Sequence, residues 1–140
     1  MSAVKELIRT NENGTISFGD YELAQKSKLS DFQHQGDLYK VKTFQEITKL
    51  ERNGMFVYES VPGTAVFELS QDGSGMSFQV EGKEDAQITV ELEADTEYDV
   101  AIKGQDAGRM KTNLGGKLSF SVDFGASGPV DVTIRKCVNE

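Results

Sequence analysis

Residues 88–102 read Ile-Thr-Val-Glu-Leu-Glu-Ala-Asp-Thr-Glu-Tyr-Asp-Val-Ala-Ile, two alternating segments on either side of a short acidic corner. Ile88, Val90 and Leu92 share one side of an extended chain, and Tyr98, Val100 and Ile102 resume the same period of two after the corner. Both segments therefore feed one apolar layer. A Tyr on the exit side of such a corner buries its ring and returns its hydroxyl to the main chain a few residues upstream, tying together neighbouring strands of opposite sheets. The stretch predicts a corner of an antiparallel β-sandwich.

Turn chemistry recurs through the rest of the chain at the short spacing of an all-β protein. Residues 4–9 and 15–18 flank Asn11-Glu-Asn-Gly14 as one hairpin, and residues 28–32 and 38–43 form a second through His34-Gln-Gly-Asp37. Arg52-Asn-Gly54 separates 47–50 from 55–60, with an Asn-Gly pair that accepts the positive-φ positions of a tight turn. Residues 43–52 carry Phe44, Ile47 and Leu50 at a spacing of three, which fits a helix, but they also extend the strand that begins at Leu38, and strand is the assignment taken. After Val61-Pro-Gly63 the alternation sharpens: Ala65, Phe67 and Leu69, then Met76, Phe78 and Val80, then the corner. Residues 109–113 follow, then Leu118, Phe120, Val122 and Phe124, and finally Val130, Val132 and Ile134 beyond the Gly125-Ala-Ser-Gly-Pro129 turn. About seven strands after residue 63 make a sandwich. Residues 1–140 are read as one domain, with N-terminal hairpins over 1–62 added to a sandwich core over 63–140. At this length a single core is stable without a disulfide or a metal.

The formal charge of −8 excludes nucleic acid and anionic membrane as expected partners, since each phosphate contact requires a cation. With a pI near 4.7, this is an acidic chain. The first ten residues hold no apolar run of secretory length, no segment approaches a membrane span, and the single Cys137 cannot staple the chain, so a cytoplasmic protein is expected. Glu91, Glu93, Asp95, Glu97 and Asp99 alternate with the apolar residues and read as a solvated face. Met55 and Val57 oppose Phe56 and Tyr58 on one strand, making it apolar on both sides; the N-terminal hairpins are expected to cover it, with an interface as the alternative.

Catalytic devices are hard to assemble from this composition. His34 is the only histidine and stands in a polar Gln-His-Gln-Gly turn, where it reads as an exposed loop residue. One His and one Cys fall short of a zinc site. Asp72-Gly-Ser-Gly75 and Glu81-Gly-Lys-Glu-Asp85 place oxygens on loops without the spacing of a calcium loop. Glu91 and Glu93 share a strand face at a separation suited to glycoside chemistry, yet nothing nearby predicts an apolar pocket to raise either pKa. No catalytic residue, metal or cofactor is assigned. Among the four Tyr, Tyr21, Tyr39 and Tyr58 remain for stacking once Tyr98 is placed in the corner.

Gly36-Asp-Leu-Tyr-Lys-Val-Lys-Thr-Phe-Gln-Glu-Ile-Thr-Lys-Leu-Glu-Arg-Asn-Gly54, Tyr58-Glu-Ser-Val-Pro-Gly-Thr64 and Met110-Lys-Thr-Asn-Leu-Gly-Gly-Lys-Leu-Ser-Phe-Ser-Val122 resemble a family of short all-β proteins of gut anaerobic bacteria. Some members are labelled endosialidase, so the resemblance implies a carbohydrate-active role. Sialidases resemble large propellers with an arginine triad and a Tyr-Glu nucleophile pair; this chain has Arg9, Arg52, Arg109 and Arg135 and too few strands. Residues 92–100 also resemble the corner of immunoglobulin-like and fibronectin type III-like sandwiches. The expected function is a non-enzymatic binding or assembly module, with a carbohydrate-binding domain or weak carbohydrate-active enzyme as the alternative. Tyr39, Tyr58 and Arg109 are the binding candidates, and the expected partner is a protein, a second copy of the chain or a carbohydrate.

Overall fold

The computed structural model describes residues 3–124 and 128–137, and the strands found there all pair antiparallel. β1 (Ile8–Thr10) and β2 (Ile16–Phe18) form a short hairpin; β3 (Ser27–His34), β4 (Asp37–Phe44), β5 (Ile47–Arg52) and β6 (Met55–Val61) form a meander. β7 (Ala65–Asp72) and β8 (Gly75–Glu81) pair next. The remaining strands are β9 (Ala86–Glu91), β10 (Glu97–Ile102), β11 (Gln105–Lys111), β12 (Lys117–Val122) and β13 (Val130–Lys136). One sheet runs β1-β2-β7-β8-β13-β10-β11 and the other β12-β9-β6-β5-β4-β3. The two pack face to face as a β-sandwich, and each keeps two edges, so there is no closed barrel to carry a ligand inside. Residues 125–127 of the Gly125–Pro129 turn lie outside the described residues.

Alternation places the inner faces where it was legible. Met76, Phe78 and Val80, Ile88 and Val90, Leu118, Phe120 and Val122, and Val130, Val132 and Ile134 are all buried in one cluster. The N-terminal strands feed the same cluster through Ile8, Ile16, Phe18, Tyr39, Val41, Leu50 and Tyr58. They lengthen both sheets and add no third layer. At the centre, the Tyr58 ring stands edge-on to Phe18 at 5.4 Å and to Phe78 at 5.7 Å, so one side chain of the six-stranded sheet joins two strands of the other.

Among the β-bulges, those on β7 and β6 redirect residues into the core. On β7, Phe67 faces Gln79 but Ser70 faces Ser77, so one extra residue intervenes, and Glu68 adopts a φ of 55°. Val66 and Leu69 consequently enter the core, whereas Phe67, expected inside, stays half-exposed. On β6, Leu50 faces Tyr58 and Glu51 faces Phe56, leaving Val57 as the inserted residue. Val57 and Tyr58 both turn inward, and Phe56 lies outside beneath the ammonium groups of Lys49 and Lys117 at 5.9 and 4.9 Å. Lysine ammonium groups, rather than the N-terminal hairpins, lie over the Phe56 ring. Residues 43–52 are strand but not continuous: the chain reverses at Gln45-Glu46 between β4 and β5.

The corner forms between strands of opposite sheets. The Glu93 amide donates to the Tyr98 hydroxyl at 3.2 Å, and Tyr98 is buried. Thr112 completes the tie, its hydroxyl donating to the Glu93 carbonyl at 2.6 Å and accepting from the Thr96 amide at 2.9 Å. Tyr98→Phe strands that amide and is expected to destabilise the fold by about 1 kcal/mol in urea unfolding. A loss below about 0.3 kcal/mol would mean that the hydroxyl is not part of what holds the corner.

Candidate functional site

The turns β1–β2, β3–β4, β5–β6 and β7–β8 gather with the β9–β10 corner at one end of the sandwich, where the sheets part around two adjoining cavities of about 500 and 140 Å³. Asp37, Arg52, Val57 and Gln71 line both. The larger extends over Met55, Phe56, Asp72, Glu91, Glu93 and Tyr98; the smaller reaches His34, Gln35 and Tyr39.

Arg52 is the centre of this arrangement. Strand parity with Thr48 and Leu50 aims it at the inner face, and it sits at the strand end, directly opposite Tyr39 on β4 and Met55 on β6. It is half-buried, and among the described residues its guanidinium has neither a hydrogen bond nor an ion pair. Arg52 lines both cavities, and its five donors have no protein acceptor among the described residues. The register places Asp37 opposite His34, and the Asp37 carboxylate accepts instead from the Asn53 amide at 2.9 Å.

Tyr39 is 7% exposed, and its hydroxyl makes no hydrogen bond among the described residues. No fully buried polar side-chain atom lacks a partner among those residues, so this hydroxyl opens onto the cavity that Tyr39 lines. His34 behaves similarly: Nδ1 lies 3.0 Å from the Thr10 hydroxyl and the ring stands edge-on to Tyr39 at 5.8 Å, leaving Nε2 without a protein partner. The exposed loop histidine expected from sequence is thus corrected. Gln35 and Gly36, with φ of 50° and 86°, make the turn by themselves, so His34 remains the last residue of β3 and is only 8% exposed.

The carboxylates of the larger cavity are mostly committed. Glu91 pairs with Lys117 at 3.5 Å and Glu93 with Lys136 at 2.8 Å. The hydroxyl and amide of Ser74 both donate to Asp72 and hold its carboxyl below the usual range, so the Asp72 loop is satisfied internally. Among the described residues no three His, Cys, Asp or Glu side chains gather as a metal site. Burial, aided by Asp99, pushes the Cys137 thiol above its usual value against the pull of Arg109, opposite to what an activated nucleophile requires.

The other expected contacts fall elsewhere. Tyr58 is fully buried between the sheets and has no free ring face; Tyr21 is also buried. Arg109 lies on the edge strand β11, exposed and 3.3 Å from Asp99, and lines neither cavity. Of the three binding candidates only Tyr39 reaches the site. Arg52 was missed as a site residue because its neighbours Asn53-Gly54 dominate the local reading; the available signal was a cation at an inward position of a strand.

No protein-family model matches the chain, and neither the curated proteins nor the solved structures include a significant match to it. No helix among the described residues is long and apolar enough to cross a membrane.

Proposed function

We propose that this chain is a non-enzymatic binding module that takes a polar, acceptor-rich ligand in the groove at the paired-turn end of the sandwich. The observation that carries it is the half-buried Arg52, unpaired among the described residues, beside the unbonded hydroxyl of the nearly buried Tyr39. Polar groups held this far from water cost stability unless a partner completes them, and a ligand carboxylate or a pair of sugar hydroxyls would match the guanidinium fork. Asp37 adds a carboxylate from the sheet that carries Arg52, and Gln71 an amide from the opposite sheet. The non-enzymatic part is supported by Glu91 and Glu93 being engaged with lysines and by the raised Cys137 thiol.

A carbohydrate ligand is the favoured alternative to a protein partner or second copy, because the groove is lined by both donors and acceptors while Met55, 64% exposed, supplies an apolar contact. Thermal shift with galacturonate, glucuronate and their neutral parent sugars tests both statements. Saturation at 100 times Kd raises stability by about 2.7 kcal/mol. Arg52→Ala is expected to abolish the shift while leaving the unliganded stability within about 0.5 kcal/mol of the parent. An equal shift in both proteins would remove the groove from the account, and release of products from an oligosaccharide would replace binding by catalysis.

A further inference from the structure

The outer face of the six-stranded sheet carries an independent feature. Lys28 stands directly opposite Lys42, and Lys42 directly opposite Lys49, so three ammonium side chains line up across β3, β4 and β5. Lys40, two residues from Lys42 on the same face, joins them around a hollow of about 60 Å³ that also includes Glu51. Adjacent strands lie about 4.8 Å apart, and like charges placed directly opposite one another destabilise a sheet. Among the described residues Lys28, Lys40 and Lys42 have no ion pair; Glu51 engages Lys49 at 3.7 Å. An acidic chain of charge −8 thus concentrates repelling cations where folding gains nothing from them.

We infer that this lysine row is a docking surface for a linear acidic polysaccharide, whose carboxylates or sulfates supply the missing counter-charges. The surroundings select that occupant. Glu59 follows Lys49 directly in the row and Glu91 lies farther along the sheet, so a nucleic-acid duplex or a bilayer, with dense charge spread beyond three strands, would press against carboxylates. Single-stranded nucleic acid needs open aromatic platforms, whereas Phe44 lies under Lys26 at 5.8 Å and Phe56 under Lys49 and Lys117. A narrow chain with one charge per sugar unit can lie over the row and leave the sheet past the edge strand β3, meeting fewer carboxylates than a duplex or a bilayer would.

Affinity electrophoresis of the full chain in gels containing polygalacturonate, dextran sulfate or neutral dextran tests the proposal, with oligo-dT and phosphatidylserine vesicles in parallel sedimentation and shift assays. Retardation by an acidic glycan and not by neutral dextran is expected, weakening between about 50 and 200 mM salt. The triple variant Lys28→Gln, Lys40→Gln, Lys42→Gln should lose affinity roughly tenfold or more, with a salt slope shallower by about two to three. Its melting temperature should match or exceed the parent's, because repulsion has been removed. Polygalacturonate binding alone would assign carboxylates, and dextran sulfate binding alone sulfates. Absence of glycan binding, undiminished binding by the variant, stronger binding to oligo-dT or vesicles, or a lower melting temperature in the variant would each overturn the inference. Monomeric galacturonate at matched ionic strength, which would fill the groove, should not relieve the retardation, which separates the row from the groove.

Discussion

Gly75→Ala is expected to lower the melting temperature by roughly 10–20 °C, corresponding to a loss of about 3–5 kcal/mol. Gly75 opens β8 with a φ of 150°, a conformation that side chains rarely adopt, and a Cβ placed there would run into the Ile134 backbone carbonyl. That carbonyl belongs to β13, the strand inserted between β8 and β10, so neither neighbour can retreat without breaking a ladder. Backbone strain and overpacking therefore add, each of about 1–3 kcal/mol. Gly73→Ala, two residues earlier, is the control: its Cβ would meet nothing within 4 Å. It should stay within about 0.5 kcal/mol of the parent. Similar melting temperatures for the two variants would show that β8 and β13 are less tightly apposed than described.

Tyr58→Ala is expected to cost about 3–5 kcal/mol, because it empties the volume between Phe18 and Phe78 at the centre of the core. Tyr58→Phe keeps the ring and isolates the hydroxyl's contribution. That hydroxyl lies 2.8 Å from the Thr64 hydroxyl, which also meets Ser60 at 2.7 Å, while the Thr64 carbonyl accepts from Thr48 at 2.7 Å. Losing one member of this satisfied network should cost about 1–2 kcal/mol. Burial raises the Tyr58 phenol well above its ordinary 10.0, outweighing the hydrogen bonds to Thr64 and Ser60 that lower it. In the unfolded chain the phenol ionises near pH 10 while in the folded chain it stays neutral. Its contribution is therefore complete below about pH 10 and falls by about 1.4 kcal/mol per unit as pH rises beyond it. Urea unfolding from pH 9 to 11 should show this extra slope in the parent and not in Tyr58→Phe. Parallel slopes would mean that Tyr58 ionises freely in the folded state.

The corner was legible because every part of it is local: alternation on both arms, a polar turn, and a Tyr five residues beyond the amide it accepts from. The Asn53-Gly54 turn was legible for the same reason, both residues adopting the positive φ that the pair tolerates, 52° and 79°. The bulges were not, since Glu68 at a φ of 55° carries no local mark of an inserted residue, and only pairing with β8 shows that β7 has one too many. Of the groove, Glu91, Glu93 and Tyr98 were singled out for other reasons, Tyr39 was named as a contact, His34 was placed outside, and Arg52 passed as a turn flank. Their convergence depends on five chain segments ending together, and no spacing along the chain encodes it.

Period-two hydrophobicity and turn chemistry by themselves determined that this is an antiparallel β-sandwich and which residues of most strands enter the core, because side-chain direction on a strand follows from parity alone. Only the tertiary structure decided the sheet order, the register that sets Lys28, Lys42 and Lys49 in a row, and the meeting of Arg52 with Tyr39 and His34 at one end. Those features arise between strands, where packing of the whole core, rather than any local preference, selects one pairing among many.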